Sequence, residues 1–153
     1  MVEMNVKTFK LSPLAYRLVE VFEIIYTEHG KANAFKYGIN KNDLFQYQTK
    51  REYNARIVED VVKNGLKPIE NLRQVTGAFD EKISQRPNKS KTMELPPHLF
   101  TSINLFIEEH KLTGQQFVLQ ALERTILRNN LDVRYIKSLL DKIKKYYDEY
   151  DIL

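Results

Sequence analysis

The sequence predicts a mainly α-helical protein built from two units, the second of which opens with one short strand. Three observations lead to this fold class. Apolar residues recur every three or four positions through most of the chain, which is the spacing of helices with one buried face. Residues 84–91 are polar and basic and include a proline, which is typical of a linker. Directly afterwards, residues 92–95 (TMEL) alternate polar and apolar side chains, as a short strand does.

The N-terminal unit, residues 1–84, is expected to be a helical domain. A first helix is predicted over residues 13–29, because Pro13 can occupy its first position and Gly30 can end it. A longer helix is predicted over residues 42–63, ending at Asn64-Gly65. Pro68 can begin a third helix that continues toward Ile83.

The C-terminal unit, residues 92–153, follows a basic linker at residues 85–91. Pro96 and Pro97 end the strand, and a helix is predicted to begin near Pro97. Thr113 with Gln116 three residues later forms the sequence of a capping box, so a second helix should begin there and end at Asn129-Asn130. A last helix is predicted from about residue 132 to 150, with heptad-like apolar spacing. This helix either packs on its own domain, the interpretation we favour, or joins copies of the chain.

Composition limits the classes of function. The chain is 42% hydrophobic and 29% charged, as soluble globular proteins are, and it has no cysteine. No apolar run reaches the roughly 20 residues of a membrane helix, and no signal-peptide pattern is present, so we expect a cytoplasmic protein without a membrane partner. The net charge of +4 permits a polyanionic partner. No catalytic or metal-binding motif stands out. We therefore expect that the protein is not an enzyme and that it has no cofactor and no metal site.

The short strand raises a question about its partner, because unpaired strand groups are costly when buried. The order of strand, proline break, helix, capped turn and helix over Ser90 to Asn129 resembles the ribbon-helix-helix family of DNA-binding proteins. In that family, two copies of the strand, one from each subunit, form an antiparallel ribbon that lies in the major groove. The resemblance therefore implies a homodimer, possible higher oligomers of it, and double-stranded DNA as the partner.

The alternation of the strand assigns its two faces. Met93 and Leu95 are expected to face the helices, which places Ser90, Thr92 and Glu94 outward, where the family reads bases. Glu94 departs from the family, whose corresponding position is commonly basic. Three explanations stay open: Glu94 reads a cytosine, it pairs with Lys89 or Lys91, or the ribbon does not enter a groove.

Phosphate contacts are expected at two places. The start of the second helix, at Thr113, Gly114 and Gln115, offers free N–H groups, and Gly114 would allow close approach. Arg86, Lys89 and Lys91 of the linker would add salt-sensitive affinity, although Lys91 falls on the inner face and would have to bend outward.

An internal similarity accompanies this motif. Residues 7–16 (KTFKLSPLAY) align with residues 91–100 (KTMELPPHLF), and both segments lead into a helix. They are either a second half-motif, whose strand would pair within the chain, or a chance match. We favour chance, because residues 31–40 show no capped second helix.

Two functions follow. The preferred one is a dimeric, sequence-specific DNA-binding protein, either a transcriptional repressor or a plasmid or phage factor for copy control, partition or relaxosome assembly. Its N-terminal unit would pair dimers or hold a protein partner. The alternative is a helical protein-interaction module that binds no nucleic acid and docks through the last helix and the helix at residues 42–63.

Overall fold

The computed structural model describes residues 4–27, 30, 34–39 and 49–149. This part of the chain is mainly helical, as predicted, and carries one small antiparallel sheet of two strands. The elements in chain order are β1 (Asn5–Leu11), α1 (Pro13–Tyr26), a 3-10 turn (Ala34–Tyr37), α2 (Lys50–Asn64), α3 (Glu70–Arg73), α4 (Phe79–Ile83), β2 (Lys89–Leu95), α5 (Pro97–Glu109), α6 (Gly114–Asn129) and α7 (Val133–Glu149).

The strand before Pro96 pairs with a strand of its own chain. β2 runs antiparallel to β1, with Asn5 opposite Leu95 and Leu11 opposite Lys89. The expectation that its partner comes from a second copy is therefore wrong, and the similarity of residues 7–16 to residues 91–100 marks a second strand. The intramolecular pairing satisfies the backbone groups of both strands, so no twin chain is needed to complete the sheet.

Each strand leads directly into a helix that has a proline in its first turn, although only α1 has a side-chain cap. Pro13 and Pro97 both lie in the first turn of their helices, where a fixed φ favours the helix and the missing N–H costs nothing. Ser12 caps α1 by accepting a hydrogen bond from the Ala15 backbone N–H. The boundaries predicted at Pro13 and Pro97 are confirmed, and α1 ends at Tyr26, a few residues before the predicted stop.

A second capped helix follows in both halves. Thr113 and Gln116 form the predicted capping box of α6, and Thr49 caps α2 by accepting from the Glu52 backbone N–H. The two helices cross over: α2 packs against β2, α6 packs against β1, and α2 also packs against α6. Two strand-helix-helix halves therefore interlock. The predicted helix over residues 42–63 is confirmed for the part beginning at Lys50, and its residues 42–48 lie outside the described residues.

The predicted domain boundary lies inside one hydrophobic cluster. Core residues from before and after residues 85–91 belong to the same cluster, for example Phe9, Phe22 and Val61 with Met93 and Phe117. The predicted linker is also shorter, because Lys89, Ser90 and Lys91 belong to β2. The single helix expected from Pro68 toward Ile83 is wrong as well. It is two short helices, α3 and α4, separated by a turn that contains Gly77.

The last helix, α7, packs on its own chain, as we favoured. It contacts α1 and the 3-10 turn, and its apolar seam is buried there, including Ile136, Leu140 and Ile143. Among the described residues of the first half, no helix corresponds to this amphipathic helix, so the two halves are unequal. Among the described residues, no helix has both the length and the apolarity needed to cross a bilayer.

Candidate nucleic-acid interface

The two-stranded ribbon has one face on the helices and one face in solvent. Both strands show the same alternation of burial, so three side chains from each strand point outward. These side chains are Val6, Thr8 and Lys10 from β1, and Ser90, Thr92 and Glu94 from β2. The inner positions Phe9, Leu11, Met93 and Leu95 are buried. The sequence therefore placed Ser90, Thr92 and Glu94 outward correctly. The half-motif interpretation, which we did not favour, would also have placed Thr8 and Lys10 outward, and only Val6 was missed.

The centre of the outer face is the pair Thr8 and Thr92. They lie opposite each other in the register, with 3.4 Å between their hydroxyl oxygens. The sequence similarity equates these same two threonines, so an approximate twofold axis passes between them and relates the two halves of the ribbon. The equivalent pairs away from the axis differ: Val6 corresponds to Ser90, and Lys10 corresponds to Glu94.

The charged residues of the outer face are both engaged. Lys10 donates from its Nζ to the Ser90 Oγ at 2.7 Å across the ribbon. Glu94 accepts from the Arg51 Nε at 2.9 Å and pairs with the same guanidinium through Nη2. The suggested partners of Glu94, Lys89 and Lys91, are therefore corrected to Arg51, which the fold of α2 brings to this end of the ribbon. This contact lowers the negative charge that a duplex would meet there.

Lys91 does not face outward. Its Nζ lies 2.5 Å from the Glu23 Oε2, and the two side chains are 13% and 7% exposed. The register predicted from the sequence put Lys91 on this inner face, and its side chain does not bend outward to where a phosphate would lie, because it pairs with Glu23 beneath the ribbon. Lys7, the equivalent residue of β1, donates to the Asn104 Oδ1 at 2.7 Å. Both lysines attach the ribbon to the helices.

The start of α6 has less free polar surface than expected. The Gln115 side chain accepts from the Ser12 backbone N–H at 2.6 Å and donates to the Ile83 carbonyl at 3.0 Å, so it joins α6 to the first half. Gly114 lies against Phe9, since a Cβ there would come 3.2 Å from the Phe9 Cδ1. The Thr113 hydroxyl accepts a hydrogen bond from the Gln116 backbone N–H, so it is already used in the helix cap. The backbone N–H groups at the start of α6 are what remains for a phosphate contact, since the first N–H groups of a helix have no acceptor within the helix.

The same feature occurs a second time at the start of α2, which the sequence reasoning missed. Thr49 and Glu52 show the spacing of a capping box, and this was the available signal. Lys50 and Arg51 occupy the first helical positions, so this helix start carries two cations. One capped helix start therefore belongs to each half, as the approximate twofold relation requires.

The remaining predicted contacts, Arg86 and Lys89, lie at the other end of the ribbon. Arg86 is exposed in the turn before β2. Lys89 has the same strand parity as Met93 and Leu95, and it lines a cavity behind the ribbon that α1, α4 and α7 share. Lys89 is thus on the opposite face from Thr92, and a role in direct phosphate contact from the outer face does not suit its position.

Comparison of the chain with protein-family models, with curated proteins and with solved structures found no match. Within the described ranges, no group of three or more His, Cys, Asp or Glu side chains is placed to hold a metal ion. Of the histidines, His98 is exposed, His110 ends α5 with its ring stacked on Phe106, and His29 lies outside the described residues.

Proposed function

We propose that this protein binds double-stranded DNA by laying the outer face of its ribbon in the major groove. One observation carries the proposal: an antiparallel ribbon is sealed to the core on one side and presents a small, mostly polar face, centred on Thr8 and Thr92, on the other. The major groove is about 12 Å wide and admits a two-stranded ribbon. Two capped helix starts, at Thr49 and Thr113, supply backbone N–H groups for flanking phosphates.

The proposed architecture is a ribbon-helix-helix unit made by one chain. Two strand-helix-helix halves with crossed packing support it, because α2 contacts the strand of the second half and α6 contacts the strand of the first. One molecule then provides what the family assembles from two subunits. Association of further copies along a longer site stays a prediction, as does a protein partner for residues 1–84.

A ribbon formed by one chain reads DNA differently from a homodimer. A homodimer presents identical halves and selects a palindromic site. Here the outer side chains are Val6, Thr8 and Lys10 on one strand and Ser90, Thr92 and Glu94 on the other. Lys10 can contact guanine, and the threonine methyl groups can contact thymine. The proposed site therefore has no dyad symmetry, which suits a regulator or a plasmid or phage DNA-organising factor that must bind in one orientation.

The alternative, a protein-interaction module without nucleic-acid binding, relied on exposed apolar faces of two helices. The inner residues of those helices are covered by the protein itself: Tyr53, Ile57 and Val61 of α2, and Ile136, Leu140 and Ile143 of α7. The contacts of the ribbon, in contrast, leave its outer face open. The packing therefore favours the DNA-binding proposal.

Selection from a randomised pool of duplexes tests the proposal. The immobilised chain should enrich a motif without dyad symmetry, bound by one chain per site. Fluorescence anisotropy should then show affinity that falls steeply between about 50 mM and about 200 mM salt, since phosphate contacts release counterions. A palindromic motif would reject the single-chain ribbon, and a pool without enrichment or salt-dependent binding would reject DNA binding altogether.

A further inference from the structure

A cavity of about 250 Å³ lies behind one end of the ribbon, between α1, α4, the start of β2 and α7. α7 forms one side of this cavity, where it packs over α1. Its lining combines two kinds of side chain. One part is apolar and includes Pro13, Leu14, Val75 and Leu140. The other part is strongly cationic.

Five cations line this cavity, namely Arg17, Lys82, Lys89, Lys137 and Lys144. Asp141 is the one carboxylate among the described residues that line it. These cations come from three separate parts of the sequence, namely α1, the segment of α4 and β2, and α7, so the fold has gathered them at one place. Arg17 is already paired with Glu20, but the charges of the four lysines converge around an apolar space, and a bound anion would reduce the repulsion among them.

Lys82 and Lys144 show how these charges act on one another. The charge of Lys144 lowers the pKa of Lys82, burial adds slightly to this, and Asp141 acts in the opposite direction. Lysine side chains are long and flexible and can usually turn apart in solvent. Two ammonium groups that line the same cavity can both donate to the oxygens of a phosphate or carboxylate group.

One wall of the cavity is held in place. The Arg17 guanidinium lies 3.7 Å above the centre of the Tyr147 ring, and the Tyr147 hydroxyl is 3.2 Å from the hydroxyl of Tyr37. Tyr37 in turn donates to the Glu20 Oε2 at 2.8 Å, and Glu20 pairs with Arg17. Because this network fixes Arg17 and Tyr147 against each other, they form a rigid edge of the cavity.

We propose that this cavity binds a small aromatic anion, a single ring that carries a phosphate or carboxylate group. The apolar wall would receive the ring, with the edge of Tyr147 beside it, while Lys82 and Lys144 would bind the anionic group. The size agrees, since a cavity of about 150 Å³ accommodates benzene and the remaining space suits one charged substituent. Lys89, which lines this cavity, is on the inner side of the ribbon. The cavity is therefore on the opposite side from the proposed DNA-binding face, and the proposal does not depend on DNA binding.

Isothermal titration with phenyl phosphate tests the site. Phenol has the ring without the charge, and inorganic phosphate has the charge without the ring, so both should bind at least about tenfold more weakly. The pKa of Lys82, followed by NMR, should rise when phenyl phosphate binds, because the dianion offsets the charge of Lys144.

Variants separate this site from general surface charge. The double variant K82M/K144M should lose phenyl phosphate binding, and it should not melt at a lower temperature, since the substitutions remove a repulsion. K142M, an exposed lysine of the same helix outside the cavity lining, is the matched control and should bind as the unchanged protein does. Equal affinity for phenyl phosphate and inorganic phosphate, or equal losses in K82M/K144M and K142M, would overturn the proposal. Loss of DNA affinity in K82M/K144M with intact phenyl phosphate binding would assign these lysines to the duplex and also overturn it.

Discussion

Thr8 and Thr92 face each other across the centre of the ribbon, and each has an extended, exposed position with its methyl and hydroxyl groups directed to solvent. They are the one outer pair in which both halves carry the same residue. In a duplex complex they would lie nearest the approximate twofold axis and contact the central base pairs. Their hydroxyl groups are 3.4 Å apart, so they restrain each other only weakly and remain free to bond elsewhere.

Replacing both central threonines should reduce sequence preference more than overall affinity. The double variant T8A/T92A removes hydroxyl and methyl contacts to base edges and leaves the phosphate contacts intact. We expect the ratio of affinities for the selected and a scrambled duplex to fall about tenfold, which corresponds to one lost base contact. T101A, an exposed threonine on α5, is the control and should leave the ratio unchanged. An equal loss on both duplexes in T8A/T92A would show that the central pair does not read bases.

Arg86 should contribute to overall DNA affinity and not to sequence preference. It is exposed beside the ribbon and reads no base in the proposed complex. R86A should weaken binding to selected and scrambled duplexes by the same factor and make the salt dependence less steep by about one unit. Anisotropy titrations over a series of salt concentrations measure both quantities. A change confined to the selected duplex would place Arg86 at a base edge instead.

Substitution of Glu94 should show whether its carboxylate reads a cytosine or only repels phosphates. E94Q removes a carboxylate from the outer face but keeps its shape, so affinity for all duplexes should rise by a few fold if the charge only repels phosphates. The freed Arg51 would add to this gain. E109Q, at an exposed glutamate at the end of α5, is the charge-matched control and should change affinity little. If E94Q instead loses affinity only for duplexes with cytosine at one position, Glu94 reads that base in spite of Arg51.

Local chemistry made several elements predictable from the sequence. A proline at the first helical position fixed the start of α5, and the capping box at Thr113 fixed the start of α6. Alternation in residues 92–95 identified the inner and outer faces of β2, because a one-residue shift would have buried Glu94. Each of these signals depends on residues within four positions of one another.

The partner of β2 could not be settled in this way. A strand's unpaired edge indicates that a partner exists, but pairing of distant segments leaves no local pattern. The similarity of residues 7–16 to residues 91–100 was the correct signal. Residues 31–40 show no capping sequence, which favours a chance match, but the capped helix that corresponds to α6 begins after Thr49. The contacts of Arg51 with Glu94, of Glu23 with Lys91, and of the cavity lysines depend on the same distant pairing.

The ion pair beneath the ribbon should be important for stability. Glu23 of α1 binds Lys91 at 2.5 Å and also lies 3.7 Å from the Lys50 Nζ, so it joins β2 and α2 to α1. E23A would leave the largely buried Lys91 ammonium without its partner, and we expect the free energy of unfolding to fall by about 3 kcal/mol. Urea denaturation followed by circular dichroism measures this change.

An exposed ion pair provides the control for that measurement. Glu59 lies 3.5 Å from both Arg56 and Lys63 on the surface of α2. E59A removes contacts of the same kind where water replaces them, so stability should change by no more than about 0.5 kcal/mol. Similar losses in E23A and E59A would mean that burial adds nothing to the Glu23 pair.

Gly114 tests the close packing of α6 against β1. Alanine normally stabilises a helix relative to glycine, but a Cβ at residue 114 would come 3.2 Å from the Phe9 Cδ1. Phe9 is 1% exposed and its ring stacks on Phe117 with 6.0 Å between centres, so it has little room to move. G114A should therefore lower the free energy of unfolding by about 1 kcal/mol. G77A is the control, because nothing lies within 4 Å of a Cβ there, and it should leave stability unchanged or slightly higher. Stabilisation by G114A would mean that α6 and the ribbon separate easily, and the two helix starts would then not be held in register with the outer face.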